Sequence, residues 1–422
     1  DRISARYKPM DFIKKINEVV SSKEEIINSW LHMKQKEVSV PFYTSVDLRV
    51  SSNKIAAVDT NIFPAGFNNL SEPFINRASD LIKDYREKDK KLKIKKVLII
   101  PEFHTRNPFY WDNVLALIRI LEKSGLEVKI GLIQNDPYFE YEFKSSSETT
   151  VLAQTIQRSN NKVFVPGFYP DLVLINNDFS DSSPEILKGL SQSVVPPTEV
   201  GWHSRKKNIH FEFYNKLVEE FSELVSLDPS FFSLTTKLVE DINFDIIEDR
   251  ERLADLSDKM ISKLRRFFNI KDPSLFIKND TGTYGMAVMQ IDKGADILDL
   301  NRDGRKKMKV SKGGHLLKNV IIQEGIETIY SNKEPVYYLI NCNVAGGFYR
   351  INDSRNSYQN LNTKGMYFKC LCLKNECSNC NEFFNPALEV VSKIGSLATG
   401  YEIEYLLKKN QSSDESSIKA LL

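Results

Sequence analysis

The chain has 422 residues and a mass of 48.5 kDa, a length that predicts two or three domains with full hydrophobic cores. Its 58 Lys and Arg residues nearly balance 56 Asp and Glu residues, and the net charge of +2 argues against a protein that binds nucleic acid through phosphates. No stretch approaches the roughly 18 apolar residues of a membrane span, and the first residues show no signal peptide, so we expect a cytoplasmic protein without membrane partners.

The front of the chain predicts a helical hairpin and then a parallel sheet. Residues 11–35 carry apolar side chains at helical spacing on two segments separated by a Ser-Ser break. From Lys96 onward, KVLIIPEF, NVLALIRILEKSG and LEVKIGLI give a strand, an amphipathic helix and a second strand, which is typical of a parallel crossover unit. Ligands of parallel sheets bind beyond the carboxyl ends of strands, so we expect a site near residues 102–107 and 176–178.

Turn residues and a change of periodicity divide the chain into three units. Ser183 before Pro184 predicts a helix N-cap, and the Pro-Pro pair at 196–197 predicts the end of a first domain near residue 200. Residues 208–268 have a mostly helical pattern, and apolar strand patterns return after them. The predicted units are therefore 1–200, 201–325 and 326–422.

The segment FIKNDTGTYGMAV, residues 276–288, predicts a hairpin. One strand ends in Lys278, a turn of Gly and Thr follows, and an apolar strand returns. The backbone N–H groups of such a turn can wrap phosphates, and the lysine adds a point charge. An ordinary hairpin with glycines in the left-handed region is the alternative that the loop alone leaves open. It is not a Walker loop, because no Gly-Lys-Ser/Thr that opens a helix follows.

Three motifs follow this hairpin in a characteristic order. VIIQEGI ends in Gln323 and Glu324, EPVYYLI and GGFYRIN form a strand pair that carries Arg350, and NLNTKG comes after them. This order resembles the ATP-grasp superfamily. The resemblance implies that the lysine strand and the glycine-rich hairpin cover the nucleotide phosphates. It also implies that the Gln-Glu strand end meets the adenine edge, and that a later arginine and asparagine approach the transferred phosphoryl group.

Motifs in the front half narrow the resemblance. They are SVDLR (45–49), VDTNIFPAGFNNL (58–70), PEFHTRN (101–107) and GWHSRKK (201–207). Over roughly residues 40–368 the chain is similar to the proteobacterial glutamate-cysteine ligase (γ-glutamylcysteine synthetase) family built on ATP-grasp lines. The resemblance implies an α/β (α+β) ATP-grasp fold. In that fold, an N-terminal parallel-sheet substrate domain (1–200) precedes two ATP-clasping subdomains, 201–325 with the glycine-rich loop and 326–422 with the cysteine-rich segment.

The resemblance implies an ATP-dependent carbon–nitrogen ligase that joins the side-chain carboxylate of L-glutamate to the amine of L-cysteine, the first step towards glutathione. A carboxylate is a poor electrophile, so ATP would first convert it to an acyl phosphate, which the amine attacks through a tetrahedral oxyanion. This chemistry needs cations and a divalent metal, and it needs no nucleophilic side chain. The sequence agrees, since cations stand beside every motif.

The positions of residues within the motifs imply their roles. Arg350 and Lys278 would be catalytic, since Arg350 would neutralise the transferred phosphoryl group and Lys278 would hold the nucleotide phosphates. The ATP site would comprise Lys278, one of Lys206 and Lys207, and the residues Thr281, Gly282, Thr283, Gly285, Gln323 and Glu324. The substrate site would comprise Arg49, Asp59, Asn61, Asn68, Asn69 and Arg106. We place the two arginines on strand-edge loops, where a planar guanidinium could grip a substrate carboxylate. Turn capping is the alternative for each Asp and Asn.

The sequence offers candidate ligands for two metal ions, magnesium and zinc. ATP-grasp ligases usually end in an acidic strand that binds two magnesium ions, and no clear version follows Gly365, so the nearest candidate ligands for Mg²⁺ are Glu334, Asn360 and Asn362. Cys370, Cys372, Cys377 and Cys380 offer four thiolates with a spacing that fits a structural zinc site. Reduced free thiols or an incidental disulfide are the alternatives for this cluster.

Several readings of the sequence remain open. The chain could be another ATP-grasp amino-acid or peptide ligase with a different acceptor, or a zinc-clipped binding module with a degenerate ATP site. Retention of Lys278 and Arg350 argues against the binding module.

His104, His203 and His210 are structural residues or optional general bases, since the amine can lose its proton to phosphate or solvent. The cationic run RDGRKKMKVSK, residues 302–312, predicts a solvated helix face or a lid.

Overall fold

The computed structural model describes residues 9–88, 93–103, 106–136, 139–268, 270–281, 288–309, 318–359, 361–371 and 385–411. Within these ranges the chain is a mixed α/β structure with several sheets. No helix of the described ranges is long and apolar enough to cross a membrane.

The bounds of the regular elements are as follows. The described helices are α1 (Pro9–Ser22), α2 (Glu24–Glu37), α3 (Glu72–Lys88), α4 (Pro108–Lys123), α5 (Lys207–Val225), α6 (Ile247–Phe268), α7 (Ala295–Leu298), α8 (Arg302–Lys309) and α9 (Pro386–Gln411). The described strands are β1 (Tyr43–Val50), β2 (Ile55–Asn61), β3 (Lys96–Pro101), β4 (Glu127–Leu132), β5 (Glu140–Lys144), β6 (Thr150–Thr155), β7 (Gln157–Ser159), β8 (Lys162–Phe164), β9 (Leu172–Asn176), β10 (Ser193–Val195), β11 (Thr236–Val239), β12 (Leu275–Asn279), β13 (Val288–Ile291), β14 (Val320–Glu324), β15 (Lys333–Ile340), β16 (Asn343–Ile351) and β17 (Tyr367–Cys370).

Helices α1 and α2 form the predicted hairpin and pack on the C-terminal helix α9. Helix α9 is apolar around most of its circumference because it is enclosed by α1, α5, β1 and β2. Gly395 allows the close approach of α9 to the strands, since a Cβ there would stand 3.2 Å from Thr60 Oγ1. The last described helix therefore belongs to the core of the protein.

A six-stranded sheet has the order β10-β9-β3-β4-β6-β5. Strands β3 and β4 are parallel and joined through α4, which confirms the predicted crossover unit. Strand β9 is parallel to β3, so the chain segments after Pro101 and Asn176 leave the sheet at one edge, as predicted. The predicted N-cap at Ser183 is wrong. The chain forms only a 3₁₀ turn at Glu185–Leu187, because Lys188 is extended and Gly189 has φ +62°.

A five-stranded antiparallel sheet has the order β17-β16-β15-β1-β2. It joins strands from both ends of the chain, because β1 pairs with β15 from Tyr43 opposite Ile340 to Asp47 opposite Val336. The predicted unit 1–200 thus shares a sheet with the unit 326–422, and the three ranges stay a proposal. Arg49 lies within β1, so its predicted place on a loop is wrong.

A four-stranded antiparallel sheet has the order β11-β14-β12-β13 and packs on α6 around a core of its own. Leu253, Leu264, Leu275, Ile277 and Ile322 are fully buried there. Strands β12 and β13 form the predicted hairpin, with Lys278 opposite Val288. The turn between them, residues 282–287, lies outside the described residues.

Candidate active site

A cavity of about 1080 Å³ lies where the three larger sheets meet. One wall is a face of the five-stranded sheet, the opposite wall is a face of the four-stranded sheet, and the carboxyl edge of the six-stranded sheet closes one end. The volume is at the upper end of small-molecule sites, which are typically about 300–1,000 Å³. The cavity has room for a nucleotide together with a second small molecule.

The five-stranded sheet presents polar residues to this cavity because side chains alternate between the two faces of a strand. Asp47 stands opposite Asp59 across β1 and β2, and Glu334 stands opposite Arg350 across β15 and β16. One face of this sheet therefore contributes a set of neighbouring residues to the cavity wall: Ser45, Asp47, Arg49, Asp59, Asn61, Glu334, Tyr338, Phe348 and Arg350.

Two arginines and two carboxylates form a network at the centre of this face. Arg350 Nη1 donates to Asp47 Oδ2 at 2.6 Å and to Glu334 Oε1 at 2.7 Å. Arg49 Nη2 lies 2.8 Å from Glu334 Oε2 and also donates to Gln359 O at 2.8 Å. Burial, opposed by Arg350 and reinforced by Glu334, raises the pKa of Asp47. Burial opposes the charge of Arg350, but the two carboxylates raise its pKa above the usual range. The network has no net charge.

The opposite wall carries Lys278, which the alternation of β12 points into the cavity beside Phe276. Its Nζ donates to Gln323 Oε1 at 2.6 Å and lies 5.8 Å from the centroid of the Phe276 ring. Burial, together with the nearby charges of Lys207 and Arg49, lowers the pKa of Lys278 to about 8 despite Asp59 and Asp47. An anion placed in the cavity would raise the pKa of this lysine towards its ordinary value.

Glu324 lies at the cavity, but its carboxylate is engaged on the other side of the strand. Its Oε1 accepts from Lys54 Nζ at 2.6 Å, and its Oε2 accepts from the Thr235 backbone N–H at 3.2 Å. Lys54 and Glu324 are almost fully buried, at 4% and 3% exposure. The carboxylate is therefore engaged in structural contacts within the protein.

The motif GWHSRKK contributes Trp202 and Lys207 to the cavity. Lys207 Nζ lies 5.0 Å from the centroid of the Trp202 ring. Lys206 is not among the described residues that line this cavity. It borders a second, much smaller pocket, which is also lined by Trp202 and Lys207. Thr281 likewise stands outside the described lining, and Gly282, Thr283 and Gly285 lie outside the described residues.

The predicted substrate residues Asp59, Asn61, Asn68 and Asn69 line the cavity together with Arg49. The loop that carries the two later asparagines is held by Asn113, whose Oδ1 accepts from the backbone N–H groups of Gly66 at 2.8 Å and Phe67 at 3.0 Å. Gly66 has φ +100°, a conformation that favours glycine. Arg106 is exposed and is not among the residues described as lining the cavity.

Several residues that line this cavity are not among the predicted site residues. Asp47 belongs to the same motif as Arg49 and precedes it by two positions, so strand alternation alone would have placed both on one face. Tyr110 and Asn113 come from the first two turns of α4, next to Asn107, which lines the cavity and lies in the range 102–107 where a ligand site was predicted. His210 is buried beside Glu402, and His203 contacts the Phe179 carbonyl, while His104 lies outside the described residues.

Only some of the residues predicted to bind metal ions are described by the structure. Among the residues that are described, no group of three or more His, Cys, Asp or Glu is arranged to hold a metal ion. Glu334 and Asn362 line the cavity, whereas Asn360 lies outside the described residues. Cys370 is described at the end of β17, but Cys372, Cys377 and Cys380 are not, and the zinc prediction stays a prediction.

Comparisons with known proteins give a consistent result. The model of the family GshA, glutamate-cysteine ligase, matches residues 17–403. The crystal structure of a proposed gamma-glutamylcysteine synthetase from Methylobacillus flagellatus KT is 33% identical, with a TM-score of 0.84 over 95% of this chain and 98% of that one. D-alanyl-alanine synthetase A from Vibrio cholerae O1 biovar eltor is 8% identical, with a TM-score of 0.35 over 71% and 80% of the two chains, which is too low to support an argument. No curated protein sequence matches.

Proposed function

This chain belongs to the glutamate-cysteine ligase family, and we propose that it uses ATP to join the side-chain carboxylate of L-glutamate to the amine of L-cysteine in the cavity between its five-stranded and four-stranded antiparallel sheets. The observation that carries the proposal is the convergence of Lys207, Lys278, Arg49 and Arg350 on one cavity. The two sheets would clasp the nucleotide in the manner of an ATP-grasp enzyme. Both ATP and a free thiol substrate suit a reaction in the cytoplasm.

Lys278 and Lys207 would bind the phosphates of ATP. Both ammonium groups have pKa values lowered by burial, so each is in an environment that favours an added negative charge. Gln323, which already holds Lys278, would keep its ammonium group directed into the cavity. Phe276 and Ile326 add apolar surface near Glu324, which suits a purine base. This wall therefore forms the nucleotide half of the proposed site.

Arg350 would neutralise the phosphoryl group as it moves to the glutamate side chain. Its guanidinium is fixed from two sides by Asp47 and Glu334, and Arg49 in turn fixes Glu334. A charge that is oriented before the reaction begins stabilises a transition state without reorganisation. Because both terminal nitrogens of Arg49 already donate to backbone carbonyls, we assign it to positioning Glu334.

Mg²⁺ is the cofactor that the family's use of ATP implies. It binds proteins through one or two carboxylates and takes its remaining ligands from phosphate and water. Asp47 and Glu334 offer carboxylate oxygens on the cavity wall, and Asn362 adds an amide, so the donor chemistry fits. When bound, the ion would reduce the negative charge of the phosphates. Asp47 and Glu334 would hold it while continuing to orient Arg350.

The remaining polar residues would orient the two amino acids. Asp59 and the amide oxygens of Asn61, Asn68 and Asn69 can accept from an α-ammonium group, and the amide N–H groups of the asparagines can donate to an α-carboxylate. The acyl phosphate of glutamate would then meet the cysteine amine on the side towards α4. The tetrahedral oxyanion would lie near Arg350, and the amine proton can pass to phosphate or to solvent. No side chain needs to act as a nucleophile.

The acceptor is the part of this proposal that most needs a direct test. The experiment measures ADP release with ATP, Mg²⁺ and each amino acid, alone and in pairs. We expect turnover only when glutamate and cysteine are both present. Equal turnover with other amines would replace the proposal with another amino-acid ligase, and zinc binding without any turnover would favour the binding module.

A further inference from the structure

A buried ion pair joins the C-terminal helix to the motif that carries Lys207. Arg205 Nε donates to Glu402 Oε1 at 2.9 Å, and Arg205 Nη2 donates to Glu402 Oε2 at 2.7 Å. Arg205 is 4% exposed and Glu402 is fully buried. Burial alone would raise the pKa of Glu402, but Arg205 and His210 hold it at about 2. A bidentate pair of this kind is directional because two charge-assisted hydrogen bonds fix its geometry. Removal of either partner is costly because the other ion is then buried alone.

The pair continues towards the cavity through two contacts. Arg205 Nη1 donates at 3.2 Å to the carbonyl of Thr60, which stands between the two cavity residues Asp59 and Asn61 on β2. The guanidinium carbon also lies 5.2 Å from the centroid of the Trp202 ring, and Trp202 lines the cavity. Arg205 therefore fixes a strand and an aromatic wall of the site without lining the cavity itself.

Lys207 depends on the same arrangement. Its ammonium group shares the Trp202 ring with Arg205, so two cations approach one aromatic side chain. Glu402 is the carboxylate that compensates Arg205. The other charged groups that face Lys207 are Asp59 on β2, Asp280 after β12 and Lys278, whose own pKa Lys207 helps to lower. With Glu402 neutral, the charge of Arg205 would act on Lys207 without compensation.

We propose that Glu402 is a positioning residue of this ligase, which acts through Arg205 to hold Trp202 and Lys207 in the geometry that binds the phosphates of ATP. The inference rests on the proposed function for one point, that Lys207 binds phosphate. Nothing in the motif GWHSRKK predicts it, because Glu402 lies 197 positions after Arg205, on another element of the chain.

The test is Glu402→Gln, which keeps the size of the side chain and removes its charge. Binding of a non-hydrolysable ATP analogue to the full chain is measured by calorimetry from pH 6.5 to 9.5, without amino acids. We expect the affinity to fall about tenfold, equivalent to about 1.4 kcal/mol, and the alkaline loss of binding to begin at lower pH. In the steady state, KM for ATP should rise about tenfold while kcat at saturating ATP changes less than about twofold.

The matched control is Glu404→Gln on the same helix. Glu404 pairs with Lys408 at the surface at 3.6 Å, so its loss should leave ATP binding unchanged. If Glu402→Gln is poorly folded, the double variant Arg205→Met with Glu402→Leu removes both charges and replaces a buried ion pair with apolar groups, which proteins often tolerate. It should fold and still bind the analogue about tenfold more weakly.

Three outcomes would overturn the inference. The first is a lowered melting temperature with unchanged ATP affinity, which would make Glu402 purely structural. The second is a fall in kcat with KM for ATP unchanged, and the third is full ATP affinity in the folded double variant. Because binding is measured without amino acids, a different acceptor specificity would contradict the proposed function and leave this result standing. A wild-type chain that does not bind ATP would refute both.

Discussion

Asp47 and Glu334 accept hydrogen bonds from the same guanidinium nitrogen, Nη1 of Arg350, at 2.6 Å and 2.7 Å. The two carboxylates lie 287 positions apart in sequence and are brought together by the antiparallel pairing of β1 with β15. Arg350 therefore separates two like charges as well as facing the cavity. This double role determines which variants can test its chemistry.

Arg350→Ala should destabilise the protein as well as inactivate it. Removal of the guanidinium leaves two neighbouring carboxylates without their shared partner, and breaking a buried ion pair costs about 3–5 kcal/mol. Arg350→Lys keeps the charge and should keep more of the stability, yet lose at least about 100-fold in kcat because an ammonium group cannot hold both carboxylates and face phosphate. Urea unfolding and steady-state rates measure the two effects. Arg355→Lys, at the exposed surface, is the control. An active Arg350→Lys enzyme would refute the assigned role.

Lys278→Met should abolish ATP binding and raise the melting temperature by a few degrees. The lysine is half-buried, and its desolvation, which the neighbouring carboxylates only partly offset, lowers its pKa and disfavours its charge. An apolar side chain of similar length removes that cost together with the phosphate contact. Lys237→Met, at an exposed position of the same sheet, should change neither property. A variant that binds ATP normally would contradict the proposed placement of the triphosphate.

The pH dependence of ATP binding should follow the protonation of Lys278. In the free enzyme Lys278 has a pKa of about 8 against an ordinary value of 10.5, so it loses its proton above pH 8 and ATP affinity should fall there. The stability of the wild-type protein should instead rise over this range. The unfolded chain binds this proton more tightly, so the stability advantage of Lys278→Met should shrink as pH rises from about 8 to 10.5. Calorimetry and thermal melts across this range measure both, and an ATP affinity that stays constant above pH 8 or a stability advantage that does not shrink would be inconsistent with this assignment.

Asp47→Asn should raise the Mg²⁺ concentration that gives half-maximal activity. The substitution removes one of the two carboxylates proposed to hold the ion, while an amide oxygen keeps a weaker contact with Arg350. Binding of Mn²⁺ in the presence of an ATP analogue, followed by electron paramagnetic resonance, gives a readout independent of turnover. Asp112→Asn changes another acid of the cavity wall at the end closed by α4 and should leave metal binding unchanged. Unaltered Mn²⁺ affinity in Asp47→Asn would place the ion elsewhere.

Breaking the buried ion pair of Lys54 and Glu324 should lower the stability of the protein. Lys54→Met leaves the carboxylate of Glu324 buried without its cation and should lower the free energy of unfolding by about 3–5 kcal/mol. The double variant Lys54→Met with Glu324→Leu should recover most of this loss, because neither charge is then stranded. Chemical denaturation measures the cycle. A double variant no more stable than Lys54→Met would show that the pair itself contributes net stability.

Local patterns were sufficient for several elements and for a number of residues that the structure brings to the cavity. Strand alternation and turn signals predicted the crossover unit β3-α4-β4, the hairpin of Lys278 and the strand pair of Arg350. They could not predict that β1 joins β15, because sheet pairing between distant strands depends on tertiary packing that one sequence does not display. The contact of Asp47 with Arg350 was missed for this reason, whereas strand alternation could have placed Asp47 itself beside Arg49, which was wrongly placed on a loop. The same limit hid Glu402, whose partner lies on another element.

The central claim is that ATP phosphorylates the side-chain carboxylate of glutamate in this cavity. Its most direct test supplies glutamate labelled with ¹⁸O in the side-chain carboxylate, together with cysteine, ATP and Mg²⁺, and analyses the released phosphate by mass spectrometry. An acyl phosphate transfers its bridging oxygen to phosphate when the amine displaces it, so we predict one ¹⁸O atom in the phosphate for each product formed. Product formed with unlabelled phosphate would contradict this mechanism.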